Sequence, residues 1–160
     1  MAVAAALAAS LGAPAAAQVS PKSAFLERCG GCHGLDGKSV AELVPDLRDQ
    51  VGYFLCTPEG RAYVGRLPNV AFSGVSDAEL AAIINYTIFT VGGASAPQGA
   101  KAYTAAEARR LRRRPLTATD LLAQRTVVAE AVIASCPAAS GLRAYKSKAA
   151  GPASVKDVPR

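Results

Sequence analysis

The sequence predicts an all-α chain, and three observations carry that reading. Polar caps stand ahead of apolar runs, as Ser20-Pro21, Thr57-Pro58 and Ser76 with Glu79. Apolar residues then return at helical intervals, most clearly Leu80, Ile83, Ile84 and Ile88 with Thr87 on the same face. No stretch of strand length alternates convincingly between apolar and polar residues. A chain of 160 residues suits one compact core with extensions better than two large domains.

Residues 1–17 carry no charge, run apolar from Ala2 to Leu11 and close on Ala15-Ala16-Ala17. A short apolar run ending in a small-residue site reads as a secretory signal, because a membrane span needs about 20 apolar residues. The n-region lacks its usual Lys or Arg, and a buried Ala-rich helix is the competing reading. Cleavage after Ala17 would remove Met1, the chain's single methionine.

The first helix is expected from Ser20-Pro21 through Phe25 and Leu26 to Cys29. A turn follows at 34–37, then a loop ending in Pro45 that offers Leu43, Val44 and Leu47 for burial. "DQVGYFLC" and "TPEGRAYVGRL" are short helical candidates, the second capped by Thr57 and weakened at Gly60. The clearest helix starts at the Ser76–Glu79 capping box and ends at Gly92-Gly93. A linker then leads to two further helices. Thr104 with Glu107 opens the first, which Pro115 stops, with Ala105, Ala108 and Leu111 as its contact strip. Thr117 with Asp120 opens the second, with Leu121, Leu122, Val128, Val132 and Ile133 on its apolar side. The expected organisation is a signal peptide at 1–17, a first unit at 18–93, a basic helical extension at 94–136 and a flexible tail at 137–160.

Chemistry concentrates at 29–33, "CGGCH", which holds two of four cysteines and the chain's single histidine. Two thiols at this spacing followed at once by an imidazole fit covalent attachment of one haem c: two thioether anchors and a proximal iron ligand, His33. The glycine pair would let the backbone lie close to the ring edge. Three other readings compete. A redox-active cysteine pair would want a strand before it and a helix starting at the first cysteine. A zinc site could combine Cys29 and Cys32 with two of His33, Cys56 and Cys136. Two buried thiols beside a surface histidine would tend to oxidise in an oxidising compartment.

With these residues in view, the chain resembles the class I c-type cytochromes over about residues 20–93. A helix with Phe25 four residues before the first cysteine is similar to that family's N-terminal helix, and "SDAELAAIINYTIF", with Tyr86, to the last core helix that crosses it. "VPDL" at 44–47 resembles the loop whose proline carbonyl takes the proximal histidine's hydrogen bond. The resemblance implies a cytochrome c-like haem-wrapping fold, and it gives that carbonyl role to Pro45. It also implies a distal methionine in the loop before the last helix. Here that loop reads "RLPNVAF", placing Asn69 or Leu67 at the position. Cys56 as thiolate is another candidate, against a disulfide with Cys136. Asn69, Tyr63 and Lys38 offer oxygen or nitrogen, and an open or water-filled site is a further reading.

Basic character belongs to the second half. Residues 18–100 hold six Lys/Arg against eight Asp/Glu, and residues 101–160 hold twelve against four. Five of those arginines lie in "ARRLRRR": Arg109, Arg110, Arg112, Arg113 and Arg114. The helix they form is either a solvated face or a docking surface for a periplasmic redox partner with an acidic face. Nucleic acid fits poorly, because aromatic residues are not interleaved with the charges. The expected function is an exported single-haem electron carrier, not an enzyme and without a transmembrane segment in the mature chain. The alternative is a haem protein with an open distal side that binds a small ligand or has peroxidase-like activity, with Glu59 or Arg61 as distal acid or base.

Overall fold

A computed structural model describes residues 19–39, 44–117 and 119–145. The expected signal at 1–17, Leu43 and residues 146–160 of the expected tail lie outside the described residues. The described residues are helical and contain no strand. The fold is all-α and is consistent with that of a cytochrome c.

Helix α1 (Pro21–Arg28) starts where Ser20 accepts the Ser23 N–H at 3.1 Å, with proline at the first position. A single turn, α2 (Gly30–His33), follows it. Residues Val51–Cys56 form a 3-10 helix. Thr57 caps α3 (Pro58–Arg66) by accepting the Gly60 N–H at 2.9 Å, and one-turn α4 (Pro68–Ala71) follows. Ser76 caps α5 (Asp77–Tyr86), which continues through a π-helical turn at Thr87–Val91. Helices α6 (Ala105–Arg112) and α7 (Leu121–Ser135) close the bundle.

α5 packs between α1 and α6. Where it meets α1, the Phe25 and Tyr86 rings lie 5.6 Å apart, tilted by 53°. Phe25, Leu80, Ile88 and Val132 are fully buried, each stabilising the fold by about 1.5–3 kcal/mol on area grounds. Gly60, expected as a weak point in α3, has a packing reason: a Cβ there would meet the Phe54 carbonyl oxygen, and Val132 Cγ2 at 2.9 Å.

Residues 94–136 share this core, with Tyr103, Ala108, Leu111, Leu116, Ala129, Val132 and Ile133 buried in it. The stretch expected to act as a linker is held down. Ser95 is buried, accepts the Gly52 N–H at 2.9 Å and donates to the Gly92 carbonyl at 2.6 Å. Cys56 is bonded to Cys136, tying the end of the 3-10 helix to the end of α7.

Several expectations shift. Residues Pro137–Ala144, expected to begin a flexible tail, form a 3-10 helix that packs on α7 and buries Ala139 and Leu142. Asp120, not Thr117, caps α7, because its carboxylate accepts the Ala123 N–H at 2.9 Å. Ala105 is exposed in the first turn of α6, leaving Ala108 and Leu111 as the buried strip. Leu121 and Val127 lie outward on α7, and Arg125 lies inward.

Candidate haem site

The site is built on the junction of α1 and α2. The Cys29 N–H closes the last turn of α1 on the Phe25 carbonyl at 2.8 Å. The Cys29 carbonyl then accepts from Cys32 at 3.2 Å and from His33 at 2.9 Å. Cys29 and Cys32 therefore stand three residues apart on one turn, a spacing that makes side chains neighbours. Neither is in a disulfide; Cys29 is half-buried and Cys32 exposed. Burial pushes the Cys29 thiol up, and the charge of Cys32 adds to this. Gly34 ends the turn at a φ of 69°, a region that favours glycine.

Below the motif, a short loop is strapped to the turn at 34–39. Asp36 pairs with Arg48 at 2.7 Å, the Gly37 carbonyl accepts the Leu47 N–H at 2.8 Å, and Asp46 accepts the Ser39 N–H at 2.6 Å. The Ser39 N–H is also the main reason the Asp46 carboxyl lies below its ordinary range. These ties hold Pro45 in place, and His33 Nδ1 lies 3.1 Å from its carbonyl oxygen. A carbonyl can only accept, so Nδ1 carries the proton and Nε2 keeps its lone pair. Burial lowers the His33 pKa, against opposing pulls from the Pro45 carbonyl and the Asp46 charge. The result is a half-buried neutral imidazole with one nitrogen fixed and the other a ready donor to a metal.

The structure places Cys29, Cys32 and His33 on one turn and Pro45 against the His33 ring. The distal candidates are not brought together with them. The disulfide to Cys136 removes Cys56 as a thiolate, and it also dismantles the zinc reading, which needed Cys56 or Cys136 as ligands. Among the described residues, no group of three His, Cys, Asp or Glu side chains could hold a metal ion. Asn69 is exposed on α4, and Leu67 is half-buried against the core. Tyr63 is buried and stacked on Phe54 at 5.3 Å, its phenol pushed up to about 12 by that burial. Lys38 is exposed. Arg61, a candidate distal group, is engaged by Glu107 instead. The straps between 36–39 and 46–48 carried no advance signal, because single charged residues in a loop have no diagnostic spacing.

No family model matches the chain, and no solved structure matches it. Similar proteins include a cytochrome c-552 from Thermus thermophilus, 29% identical over 133 residues, which span 72% of this chain and 89% of the relative. A second cytochrome c-552 from the same species is 29% identical over 116 residues, spanning 61% of this chain and 88% of the relative. These relatives support a c-type cytochrome. They support an electron carrier in preference to an enzyme. The likeness extends along most of both proteins, so it takes in more than the five-residue motif.

Proposed function

We propose that the chain is an exported, single-haem c-type cytochrome of class I that carries one electron between a periplasmic dehydrogenase and a downstream acceptor. The observation that carries this reading is the His33–Pro45 hydrogen bond, which leaves Nε2 bare on a ring fixed beside two free thiols. The surroundings fit a haem. A Cβ on Gly31 would meet nothing within 4 Å, and Leu35, two residues past the histidine, is 78% exposed, an apolar side chain that a bound porphyrin would cover. Cys29 and Cys32 would hold haem c through two thioethers, and His33 would supply one axial ligand. Bound there, the haem supplies a one-electron iron couple whose potential depends on its axial ligands. Pro45 fixes the plane of the imidazole.

The rest of the chain supports export and docking. A disulfide such as Cys56–Cys136 persists in oxidising compartments, as the apolar segment at 1–17 would require. Among the described residues, no helix is long and apolar enough to cross a membrane. Arg109, Arg110, Arg113 and Arg114 are exposed at the end of α6. Two of them, Arg109 and Arg113, line a groove with Phe72, which is 70% exposed. That pairing of charge and apolar surface suits an acidic redox partner.

The test is chemical. Purified protein should hold haem that resists acid-acetone extraction, and Cys29→Ala with Cys32→Ala should abolish it. Extractable haem, or none, overturns the proposal.

One observation favours a second reading, a haem protein that binds a small ligand or has peroxidase-like activity. The chain has one histidine and one methionine, Met1, and Cys56 is committed to a disulfide. Neither imidazole nor thioether from residues 18–160 is left for the second axial position. Prompt carbon monoxide binding by the reduced protein supports this reading; a silent spectrum with a reversible potential supports the carrier.

A further inference from the structure

Three arginines face one groove between α4 and α6, and one of them, Arg112, is spent on the fold. Its guanidinium donates to the Ala71 and Val75 carbonyls and to Asp77 at 3.2 Å. The groove has a volume of about 560 Å³ and is also bordered by Arg109, Arg113 and Phe72. Asp77 is the one acidic side chain lining it, and Arg112 takes up that charge. Arg109 Nε stands 3.9 Å from the other Asp77 oxygen, beyond hydrogen-bond distance, with 60% of its side chain exposed. The Arg113 side chain is exposed and has no partner among the described residues. Three guanidinium groups thus meet a single carboxylate, and two positive charges are left over.

Those two charges have a fixed spacing. Arg113 follows Arg109 by four residues and keeps helical backbone at the end of α6, with φ −72° and ψ −10°. Side chains four apart on a helix are neighbours, with about 5–6 Å between their Cβ atoms. Phe72, just past α4, adds an exposed apolar ring. Gly74 brings no side chain, and a Cβ there would meet nothing within 4 Å, so the groove is open at this residue. The complement is a pair of anionic groups one helical turn apart with apolar surface beside them. Carboxylates at positions i and i+4 of a helix, with an apolar residue at i+3, have that arrangement. A phosphate-rich chain supplies the charge but leaves the Phe72 ring in water. A membrane surface favours several apolar side chains beside the arginines, and Phe72 is the only large one lining this groove.

We propose that the groove between α4 and α6 receives an acidic amphipathic helix of the redox partner, a specificity that rests on the docking reading of α6. One carboxylate meets Arg109, the next meets Arg113, and an apolar side chain covers Phe72. α6 lies outside the stretch that resembles the class I cytochromes, so the contact belongs to the extension. It is also small. A carrier has to leave its partner after each transfer, and contacts at the low end of the interface size range serve such encounters.

Full-length protein is titrated calorimetrically with three synthetic helical peptides. The first carries Glu at i and i+4 with Leu at i+3, the second has its acids at i and i+2, and the third replaces the Leu of the first by Ser. The first should bind about fivefold tighter than the second and about threefold tighter than the third. Arg109→Gln with Arg113→Gln should erase the preference for spacing, and Phe72→Ala the preference for leucine. Arg110→Gln with Arg114→Gln removes the same charge from the exposed end of α6 outside the groove. It should weaken all three peptides alike and keep both preferences. These side chains are exposed, so every variant should retain the wild-type urea midpoint. Equal affinity for the first two peptides, or a spacing preference that survives Arg109→Gln with Arg113→Gln, overturns the proposal. So does Phe72-dependent capture by phosphatidylglycerol vesicles without discrimination among the peptides. If the peptide preferences hold while Arg113→Glu with Arg114→Glu leaves reduction by the redox partner unchanged at low salt, the docking reading alone fails, and the groove still selects acidic helices.

Discussion

Arg61 and Glu107 meet side by side, Nε to Oε1 and Nη2 to Oε2 both at 2.7 Å, with 22% and 16% of their side chains exposed. The same guanidinium donates to the Lys101 and Ala102 carbonyls and lies 4.0 Å from the Tyr103 ring centroid. Tyr103 in turn donates its hydroxyl to the Arg61 carbonyl at 2.7 Å. One arginine thus clamps the approach to α6 onto α3. The capping box expected at Thr104 and Glu107 is used in half. Thr104 accepts the Glu107 N–H at 3.1 Å, while the glutamate side chain goes to Arg61.

Removing the acid should show the clamp. Glu107→Gln is expected to cost about 1.5–3 kcal/mol, the range for a charged hydrogen bond in a sheltered place. The Arg61 hydrogen bond holds the Glu107 carboxyl below its ordinary range. Its contribution is therefore complete above that range and is lost as pH falls through the lowered value. Urea unfolding across acidic pH should show a shallower acid limb for Glu107→Gln than for wild type. Parallel limbs would remove the clamp from the account.

The two cysteine pairs should respond separately. Cys56→Ser with Cys136→Ser opens a link spanning 80 residues and is expected to cost about 4 kcal/mol in the chain-entropy picture. Covalent haem per folded molecule should stay at the wild-type level, read by absorbance after acid-acetone extraction. A proportional loss of haem would mean that the extension is needed to assemble the site.

Gly60 offers a test of packing against propensity. Alanine is the better helix former by about 1 kcal/mol, yet a Cβ there collides with the Phe54 carbonyl. Gly60→Ala should lower stability by about 1–3 kcal/mol. A stabilised variant would show that α3 and the 3-10 helix can move apart freely.

The arginines of α6 should divide into two classes. Arg112 donates to the Ala71 carbonyl at 3.0 Å, the Val75 carbonyl at 2.7 Å and Asp77 at 3.2 Å, so Arg112→Ala should cost about 2 kcal/mol. Arg113→Glu with Arg114→Glu should leave the urea midpoint nearly unchanged but slow reduction by the partner at low salt, an effect that fades as salt rises. Equal rates at low salt would leave this end of the helix as scaffold.

The helices of this fold were readable because their caps and apolar spacing are local. Ser20, Thr57, Ser76 and Thr104 each cap the helix they precede. The thiols and imidazole of the candidate site are local too, sitting within five residues, whereas Pro45, twelve residues beyond His33, entered only through the family resemblance. What escaped is tertiary. Arg61 looks like a free charge until Glu107 is folded against it, 46 residues away. Pro137–Ala144 has the composition of a tail, yet small residues and Leu142 suffice to pack on α7 once the disulfide holds its start. Nothing in the sequence singled out Arg125, because periodicity reports which residues are apolar, not which polar residue the core admits.

The placement of the four cysteines also sets an order of events in making the molecule. Four thiols allow three pairings, and in an unfolded chain the partners three residues apart encounter each other far more often than those separated by 80. An oxidant meeting the newly made chain therefore reaches Cys29 and Cys32 first, where the proposed thioethers require free thiols. Cys56 and Cys136 come within reach through folding. Under the haem proposal, maturation would call for a dithiol reductant acting on the near pair and an oxidant acting on the far one, with folding separating the two steps.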